Sequence, residues 1–250
     1  MLTTERHQVI ISMLKENGTV KLQDLLDELD ASESTIRRDL VQLENMKLLK
    51  RVHGGAALLQ KKGFELSVRE KTNKHLDEKR RVAEAAASFI QKGDCIYLDA
   101  GSTVMEMITY LKGKDVTVLT NGITHIPLLA EMGIKTMIVG GQIKASTDAI
   151  IGSAAIDFIQ QYRFDKCFLG MNGVHFQLGY TTPDPDEALL KKTALKLSTE
   201  AFVLVDSTKL NEATFAKVAE IDEAVMITDD NDDSGLELII KNTKAKVVTA

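Results

Sequence analysis

Hydrophobic positions in the first fifty residues recur with the spacing of short amphipathic helices. Apolar side chains repeat at helical spacing within residues 4–17 and again within residues 22–29. In a third segment, Ile36, Leu40 and Leu43 lie at i, i+4 and i+7, so they share one face of a helix. The pattern therefore predicts three short helices, each with a single buried face.

The sequence around the third helix is typical of a winged helix-turn-helix. Ser32 directly precedes that helix and is a suitable N-cap residue. Residues 48–58 form two strand-favouring stretches on either side of the turn His53-Gly54-Gly55, which predicts a β-hairpin. Short helices, a tight turn and a basic hairpin together favour DNA binding. The alternative is that the arginines form solvated i,i+4 ion pairs and that the hairpin merely closes a small core.

From residue 76 onward, short apolar runs alternate with amphipathic segments of helical length. Such runs are typical of strands that are buried on both faces of a parallel sheet. We therefore expect an α/β domain in which helices cover a mostly parallel sheet. The predicted strands are Cys95–Leu98, Val116–Leu119, Thr136–Val139, Lys166–Leu169, Ala201–Val205, Ala224–Ile227 and Lys246–Val248.

Small polar residues follow several of these strands, where parallel sheets bind their ligands. The run from Asp99 to Thr103 leads directly into a helix, and its glycine and hydroxyls suit a phosphate. We expect a pocket for a phosphorylated small molecule, although any one loop would also fit as a helix cap or a turn. The predicted pocket residues are Asp99, Gly101, Ser102, Thr103, Thr120, Asn121, Gly140, Gly141, Thr182, Glu187, Lys191 and Lys209.

Roles within this pocket follow from residue type. Ser102 and Thr103 are the predicted phosphate contacts, and Lys209 is the predicted charge partner. Asp99 and Glu187 are predicted to accept hydrogen bonds from ligand hydroxyls.

Composition and charge narrow the class of protein. The 250 residues are 44% hydrophobic and 27% charged, as expected of a globular chain rather than a disordered one. The formal charge is +3 over residues 1–81 and −8 over residues 82–250, which permits nucleic-acid binding by the front part. No apolar stretch approaches the ~20 residues of a membrane span, and no leader pattern opens the sequence. We therefore expect a cytoplasmic protein with no membrane partner.

The cysteines and histidines predict neither a disulfide nor a metal site. Cys95 and Cys167 each lie inside an apolar run, which favours buried, reduced thiols. The five histidines lack metal-ligand spacing to a cysteine or to one another. We expect no metal and no bound cofactor.

Two stretches of the front segment carry a family resemblance. Residues 32–40 (Ser-Glu-Ser-Thr-Ile-Arg-Arg-Asp-Leu) and 49–56 (Leu-Lys-Arg-Val-His-Gly-Gly-Ala) resemble the N-terminal signature of DeoR-type bacterial transcription repressors. Lys47 replaces a glycine and Ala31 a valine that are common in that family. The resemblance implies that the arginine pair faces the major groove or its flanking phosphates and that the hairpin carries the wing contacts. The DNA-binding residues predicted on this basis are Ser32, Ser34, Thr35, Arg37, Arg38, Arg51, His53 and Gly54.

The larger segment is similar to DeoR-family sensor domains, which share their fold with ribose-5-phosphate isomerase. Matching positions include Asp99–Thr103, Thr120-Asn121 and Asp206–Lys209. Residues 95–101, 161–166 and 180–191 are closer still to fructose-operon repressors. The resemblance implies a repressor that binds double-stranded operator DNA and is released by a sugar phosphate such as fructose 1-phosphate.

The sequence predicts a DNA-binding domain over residues 1–58, a charged linker over 59–75 and an effector-sensing domain over 76–250. Because one small DNA-binding domain covers little DNA surface, we expect a homo-oligomer, either a dimer or a tetramer.

Two alternative functions stay open. A sugar-phosphate isomerase needs a base, and Met171-Asn172-Gly173 supplies none where the isomerases of this fold carry a dense acidic motif. Asp99 and Glu187 remain candidates, so catalysis is disfavoured but is still an alternative. An activator is the second alternative, because it would use the same DNA-binding domain.

Overall fold

The computed structural model describes residues 2–17, 19–46, 48–52, 54–58, 65–229 and 234–250. It divides the chain into two compact units, residues 1–61 and residues 62–250. His53, which the sequence places among the DNA contacts, lies outside the described residues.

The smaller unit is a winged helix-turn-helix. Its described strands form an antiparallel sheet in the order β1-β3-β2, and β2 and β3 form the predicted hairpin. The elements are α1 (Thr3–Asn17), β1 (Thr19–Lys21), α2 (Leu22–Glu28), α3 (Glu33–Asn45), β2 (Leu49–Val52) and β3 (Gly55–Leu58).

Helix α3 begins and packs as the sequence predicts. The Ser32 hydroxyl accepts a hydrogen bond from the backbone N–H of Thr35 at 3.3 Å, so it caps the helix. Ile36, Leu40 and Leu43 are buried in the core of the small unit. The opposite face of α3 is therefore turned toward solvent.

A buried ion pair joins α3 to α1. The Arg6 guanidinium donates to Asp39 through Nε at 2.7 Å and through Nη2 at 3.1 Å, and His7 Nε2 lies 3.3 Å from the same carboxylate. Arg6 and Asp39 are both buried. A paired geometry of this kind fixes orientation as well as contact. The pair therefore joins α3 to α1 in addition to the apolar contacts of its buried face.

The larger unit is an α/β domain. Its helices are α4 (Val68–Thr72), α5 (Leu76–Ser88), α6 (Ser102–Met107), α7 (His125–Glu131), α8 (Ser153–Ile159), α9 (Pro185–Lys196) and α10 (Ser234–Asn242), with 3₁₀ turns at Ile108–Leu111, Ser207–Lys209 and Ile221–Glu223. Its strands are β4 (Cys95–Leu98), β5 (Thr117–Thr120), β6 (Lys135–Ile138), β7 (Gln142–Lys144), β8 (Ala149–Ile151), β9 (Phe164–Gly170), β10 (Gly173–His175), β11 (Gly179–Thr182), β12 (Ser198–Val205), β13 (Ala216–Ala219), β14 (Val225–Thr228) and β15 (Lys246–Thr249).

The described residues form a seven-stranded parallel sheet in the order β15-β14-β12-β9-β4-β5-β6. Each of its strands matches one of the predicted apolar runs to within a few residues, so the prediction of a mostly parallel sheet is confirmed. The chain proceeds from β4 toward one edge and then from β9 toward the other. The strand order therefore reverses between β4 and β9, and this is where open α/β sheets place their ligand crevice.

Apolar layers lie on both faces of this sheet. Successive residues of β4 point to opposite faces: Tyr97 packs in one core cluster, while Ile96 and Leu98 pack in the other. In the second cluster the rings of Phe168 and Phe202 stack with centroids 5.1 Å apart. Both faces are covered, which explains why the strands appear in the sequence as nearly continuous apolar runs.

Five further strands were not predicted. β7 and β8 form an antiparallel hairpin, and β10, β11 and β13 form a small antiparallel sheet among the described residues. These strands have only three or four residues each, and two of them begin with glycine, Gly173–His175 and Gly179–Thr182, which favours the prediction of a loop.

The second half of the expected linker packs against the larger unit. Of residues 59–75, the structure describes 65–75, and these include α4. Val68 is buried, and its backbone N–H donates to the carbonyl of Ser146 at 2.9 Å. This part of the segment is therefore docked on the larger unit, where the charge pattern predicted either an exposed connector or a single irregular helix.

None of the helices among the described residues is long and apolar enough to cross a membrane. Within the same residues, no group of three His, Cys, Asp or Glu side chains is placed to hold a metal ion.

Candidate functional site

The exposed face of α3 carries the residues predicted to contact DNA. Ser32, Ser34, Arg37 and Arg38 are exposed and Thr35 is half-buried. Arg37 pairs with Glu33 one turn earlier, with Nη2 and Oε1 at 2.6 Å, which is the solvated i,i+4 pair considered as the alternative for a single residue. Arg38 makes no hydrogen bond or ion pair with the described residues. Its guanidinium is therefore available to an outside partner.

Two glycines shape the wing, for different reasons. Gly54 has a φ of +78°, a left-handed conformation that glycine adopts without strain. A Cβ on Gly55 would lie 2.1 Å from the carbonyl oxygen of Val20, so β1 and β3 approach too closely for any side chain there. The glycine pair is thus required by the hairpin itself.

Arg51, on the first strand of the wing, is tied back to α3. Its Nε donates to Oε2 of Glu44 at 2.7 Å and its backbone N–H donates to Oε1 at 2.9 Å. These hydrogen bonds lower the pKa of the Glu44 carboxyl. The ion pair is largely exposed, so Arg51 can exchange this carboxylate for a phosphate at little cost.

In the larger unit, the chain after β4 meets the end of β9 at the strand reversal, where a ligand crevice is expected. A Cβ on Gly101 would lie 3.4 Å from the Cα of Gly170, so the two loops are in backbone contact. The carboxylate of Asp99 accepts the backbone N–H of Gly170 at 3.0 Å and bridges the two strand ends. Because Asp99 is buried and bonded to both strand ends, it holds them together at the strand reversal, which we call the switch point.

Lys191 reaches this switch point from α9. Its ammonium donates to Oδ2 of Asp99, and both side chains are buried. Burial by itself lowers the pKa of Lys191, but the carboxylates of Asp99 and Glu187 outweigh it and raise the pKa overall. Lys191 is therefore a charged group held at the crevice by internal carboxylates.

One turn earlier on α9, Glu187 also has internal partners. Its Oε1 accepts hydrogen bonds from Lys144 at 2.9 Å and from the Thr147 hydroxyl at 2.7 Å. Asp184 caps α9 through the N–H groups of residues 186 and 187, and its other oxygen lies 3.1 Å from the Lys144 ammonium. Asp99 and Glu187 were predicted to accept hydrogen bonds from ligand hydroxyls. In the structure each of them already accepts a hydrogen bond from a lysine of this chain.

Sequence reasoning missed Glu65, Lys71, Lys144 and Asn172 at this crevice. Lys71 and Lys144 both donate to Glu65, and Asn172 Nδ2 donates to it at 3.2 Å. Asn172 in turn accepts the Thr182 hydroxyl at 2.9 Å. Glu65 and Lys71 lie in the charged stretch predicted as a linker, where no sequence signal separates a buried ion from a solvated one.

Ser102 and Thr103 have free hydroxyls. Both residues are nearly buried at the first turn of α6, directly after the N-cap Gly101. Neither hydroxyl makes a hydrogen bond within the described part of the chain. A nearly buried hydroxyl with no internal partner is ready to bind a ligand.

Thr120 and Asn121 are used internally. Asn121 Oδ1 accepts the Ala100 N–H at 3.0 Å, and its Nδ2 donates to the Ile150 carbonyl at 3.2 Å. The Thr120 hydroxyl donates to the Leu98 carbonyl at 2.7 Å. Both residues therefore position the loop after β4 through contacts to their neighbours.

The remaining predicted pocket residues lie apart from the Asp99–Lys191 pair. Lys209 donates to the Thr208 hydroxyl at 2.8 Å and lies 3.7 Å from Asp206, with no contact to Asp99 among the described residues. Gly140 is exposed, and a Cβ on Gly141 would meet the Ile151 carbonyl at 2.7 Å. The structure thus brings Asp99, Gly101, Thr182, Glu187 and Lys191 together, and it places Lys209 and the glycine pair at other strand ends.

Both units match known families. Residues 6–62 match the model of the DeoR-like helix-turn-helix domain. Residues 74–231 match the model of the DeoR C-terminal sensor domain. The chain belongs to the DeoR family. The predicted resemblance is thereby confirmed for both parts of this DeoR-family regulator.

Relatives of this DeoR-family chain are named as transcriptional regulators. A protein of Bacillus subtilis named as the uncharacterized HTH-type transcriptional regulator FruR is 49% identical over 99% of each chain. The HTH-type transcriptional regulator GlpR of Haloferax volcanii is 32% identical over 99% of this chain and 98% of its own length. The lactose phosphotransferase system repressor of Staphylococcus aureus is 31% identical over 92% of each chain.

Solved structures match more weakly. Ribose 5-phosphate isomerase A of Neisseria gonorrhoeae is 17% identical over 58% of this chain and 55% of its own, with a TM-score of 0.40. The delta subunit of eIF2B from Chaetomium thermophilum is 13% identical over 82% of this chain and 67% of its own, with a TM-score of 0.47. Likeness at this level does not bear on function.

Proposed function

We propose that this DeoR-family regulator is a cytoplasmic repressor of a sugar-utilisation operon, and that a sugar phosphate such as fructose 1-phosphate releases it from operator DNA. The observation that carries the proposal is the group of polar side chains at the β4/β9 reversal. There, the nearly buried hydroxyls of Ser102 and Thr103 have no partner among the described residues, and they follow the same loop as Asp99, which holds the buried Lys191.

The DNA-binding part of the proposal assigns base contacts to α3 and phosphate contacts to the wing. Arg38 is exposed and free among the described residues, and a guanidinium that binds a guanine edge in two places discriminates by about 1–3 kcal/mol. Arg37 and Arg51 carry exposed ion pairs that phosphates can replace. The partner is double-stranded operator DNA.

The effector part assigns the phosphate to Ser102, Thr103 and the amides of the loop that ends in Gly101. Thr182 and Lys191 face the same crevice through their contacts to Asn172 and Asp99. Lys209 acts at a neighbouring strand end, next to Asp206.

Regulation follows from linkage. An effector that binds more tightly to the conformation with low DNA affinity weakens DNA binding. DNA weakens effector binding by the same factor, and the coupling free energy is about 1–3 kcal/mol. We propose a homo-oligomer, a dimer or a tetramer, in which the effector changes the spacing of two DNA-binding units and so spoils their fit to the operator half-sites.

Catalysis is not part of the proposal. An isomerase needs a carboxylate free to move a proton between neighbouring carbons. Asp99 and Glu187 each hold a lysine, and Met171-Asn172-Gly173 after β9 offers no carboxylate. Turnover of pentose or hexose phosphates by the purified protein would favour the enzyme alternative.

The test combines calorimetric titration against a panel of sugar phosphates with operator binding by gel shift. Ser102→Ala removes a hydroxyl that has no partner within the described chain, so it should weaken effector binding about tenfold or more without loss of stability, as for a hydrogen bond to a charged group. Arg38→Ala should abolish operator binding and leave effector binding unchanged. Ser153→Ala, an exposed serine at the start of α8, is the matched control. Failure of every sugar phosphate to bind, or the same defect in both variants, would refute the proposed function.

A further inference from the structure

The carboxylate of Glu65 occupies an anion site at the crevice. Oε1 accepts from the Lys71 ammonium at 2.6 Å and from Asn172 Nδ2 at 3.2 Å, and Oε2 accepts from the Lys144 ammonium at 2.7 Å. The three donors come from α4, from β7 and from the loop after β9. Two ammonium groups and an amide that converge on one carboxylate have the chemistry of a site for a small anion.

These donors depend on the anion that they hold. Lys71 is mostly buried, and Glu65 is the carboxylate within ion-pair distance of it among the described residues. Burial lowers the pKa of Lys71 even with Glu65 beside it. Removing the carboxylate without replacing it would leave a buried cation unpaired, which is strongly unfavourable. Glu65 and Lys71 stand on the same segment, so they would leave the crevice together with their ion pair intact.

The site also touches the residues of the proposed effector crevice. Asn172 accepts the Thr182 hydroxyl, and Lys144 donates to Glu187, which lies one helical turn from Lys191. An anionic ligand in this crevice would bring its charge close to the Glu65 carboxylate. The two anions would then compete for Lys144 and Asn172.

We infer that Glu65 is an internal competitor of the effector: an anionic group of the ligand displaces the Glu65 carboxylate from Lys144 and Asn172. The inference rests on the proposed function, because it takes a phosphorylated sugar as the ligand. Displacement releases the segment that carries Glu65 and α4, which lies in the sequence between the two family-matched regions, residues 6–62 and 74–231. The exchange of the Glu65 carboxylate for a ligand anion thus links occupancy of the crevice to the stretch between the two family-matched regions.

Docking of this segment can be measured through two backbone amides. The N–H of Val68 donates to the Ser146 carbonyl at 2.9 Å, and the N–H of Lys71 donates to the Ser67 carbonyl at 3.0 Å. Both amides are protected from hydrogen exchange while α4 is docked and become exposed when it is released.

The experiment uses the full chain and fructose 1-phosphate as the probe. Hydrogen exchange of residues 65–72 in the wild type should increase on binding. In calorimetry, Glu65→Gln should bind the probe at least about fivefold more tightly than the wild type, the low end of ordinary coupling between sites. Glu84→Gln, which removes an exposed carboxylate on α5 with no ion pair among the described residues, should bind like the wild type.

The outcomes separate the inference from the function on which it rests. Binding of fructose 1-phosphate to the wild type with residues 65–72 still protected, or weaker binding by Glu65→Gln, would refute the displacement and leave the proposed function intact. If no sugar phosphate binds the wild type, the proposed function fails first, and the displacement fails with it. The exchange measurement needs no variant, so the test stands even if Glu65→Gln folds poorly.

Discussion

His125 makes the stability of the sensor domain depend on pH. Its imidazole is fully buried at the start of α7, and Nδ1 lies 2.9 Å from the Thr120 hydroxyl. That hydroxyl donates its own hydrogen to Leu98, so Nδ1 carries the imidazole hydrogen and Nε2 is a bare acceptor. Nε2 is buried and has no partner among the described residues. Protonation there would bury an unpaired charge, and burial lowers the pKa of His125 to about 4.

The sign and size of the effect follow from this pKa. Between about pH 4 and pH 6.5 the unfolded chain binds a proton at His125 and the folded chain does not, so the free energy of unfolding falls as the pH is lowered through this window. Over the full window the loss is about 3 kcal/mol, at 1.36 kcal/mol for each pKa unit. Between pH 7 and pH 4.5 it is about 2 kcal/mol.

The assay is urea unfolding at both pH values, followed by tyrosine fluorescence. The chain has no tryptophan, and Tyr97, Tyr110, Tyr162 and Tyr180 all lie in the larger unit, so the signal reports that unit. His125→Asn keeps a polar atom near the position of Nδ1 and does not titrate. We expect the wild type to lose about 2 kcal/mol more than this variant on acidification, since other titrating groups affect both proteins equally. Equal losses in the two proteins would refute the reasoning.

Three further predictions concern the site and the wing. Asp99→Asn leaves Lys191 without its nearest carboxylate and should cost about 3 kcal/mol of unfolding free energy in urea, whereas a loss below about 1 kcal/mol would contradict a buried ion pair at the switch point. Gly55→Ala should lower the thermal midpoint of the small unit far more than Gly54→Ala, because only the former Cβ meets a backbone atom, and equal shifts would argue against the close approach. Ser32→Ala should cost about 1 kcal/mol by calorimetry through loss of the α3 cap, and an unchanged midpoint would rule that cap out.

The sequence determined the parallel sheet and the winged helix because the local spacing of apolar residues indicates which faces of their strands and helices are buried. Strands covered on both faces are apolar throughout, as in Cys95–Leu98, and a helix with one buried face repeats at three and four residues, as in Ile36, Leu40 and Leu43. Short antiparallel strands were missed because Gly173–His175 and Gly179–Thr182 resemble loops in composition. In addition, β11 pairs with β13, which is distant in the sequence, so the local pattern does not indicate the pairing.

The candidate site was predicted where a side chain follows a strand end. Asp99 and Ser102 were predicted because they come directly after β4, and parallel strands end at the same edge of the sheet. Lys209 was predicted on the same grounds, but it pairs with Asp206 at another strand end. The position of a residue after a parallel strand predicts the edge of the sheet at which it lies. It does not predict which loops meet at that edge.

Only the tertiary structure decided which charges are buried. Glu65 and Lys71 stand in a stretch of alternating charges that is indistinguishable from a solvated linker, and Arg6 and Asp39 lie 33 positions apart in helices that show no sequence sign of pairing. Burial of an ion depends on partners brought in from distant elements, here Lys144 and Asn172 for Glu65. The sequence by itself therefore determined the folds and the edge of the sheet at which we propose a ligand, and the assembled sheet decided which charged groups lie at that edge.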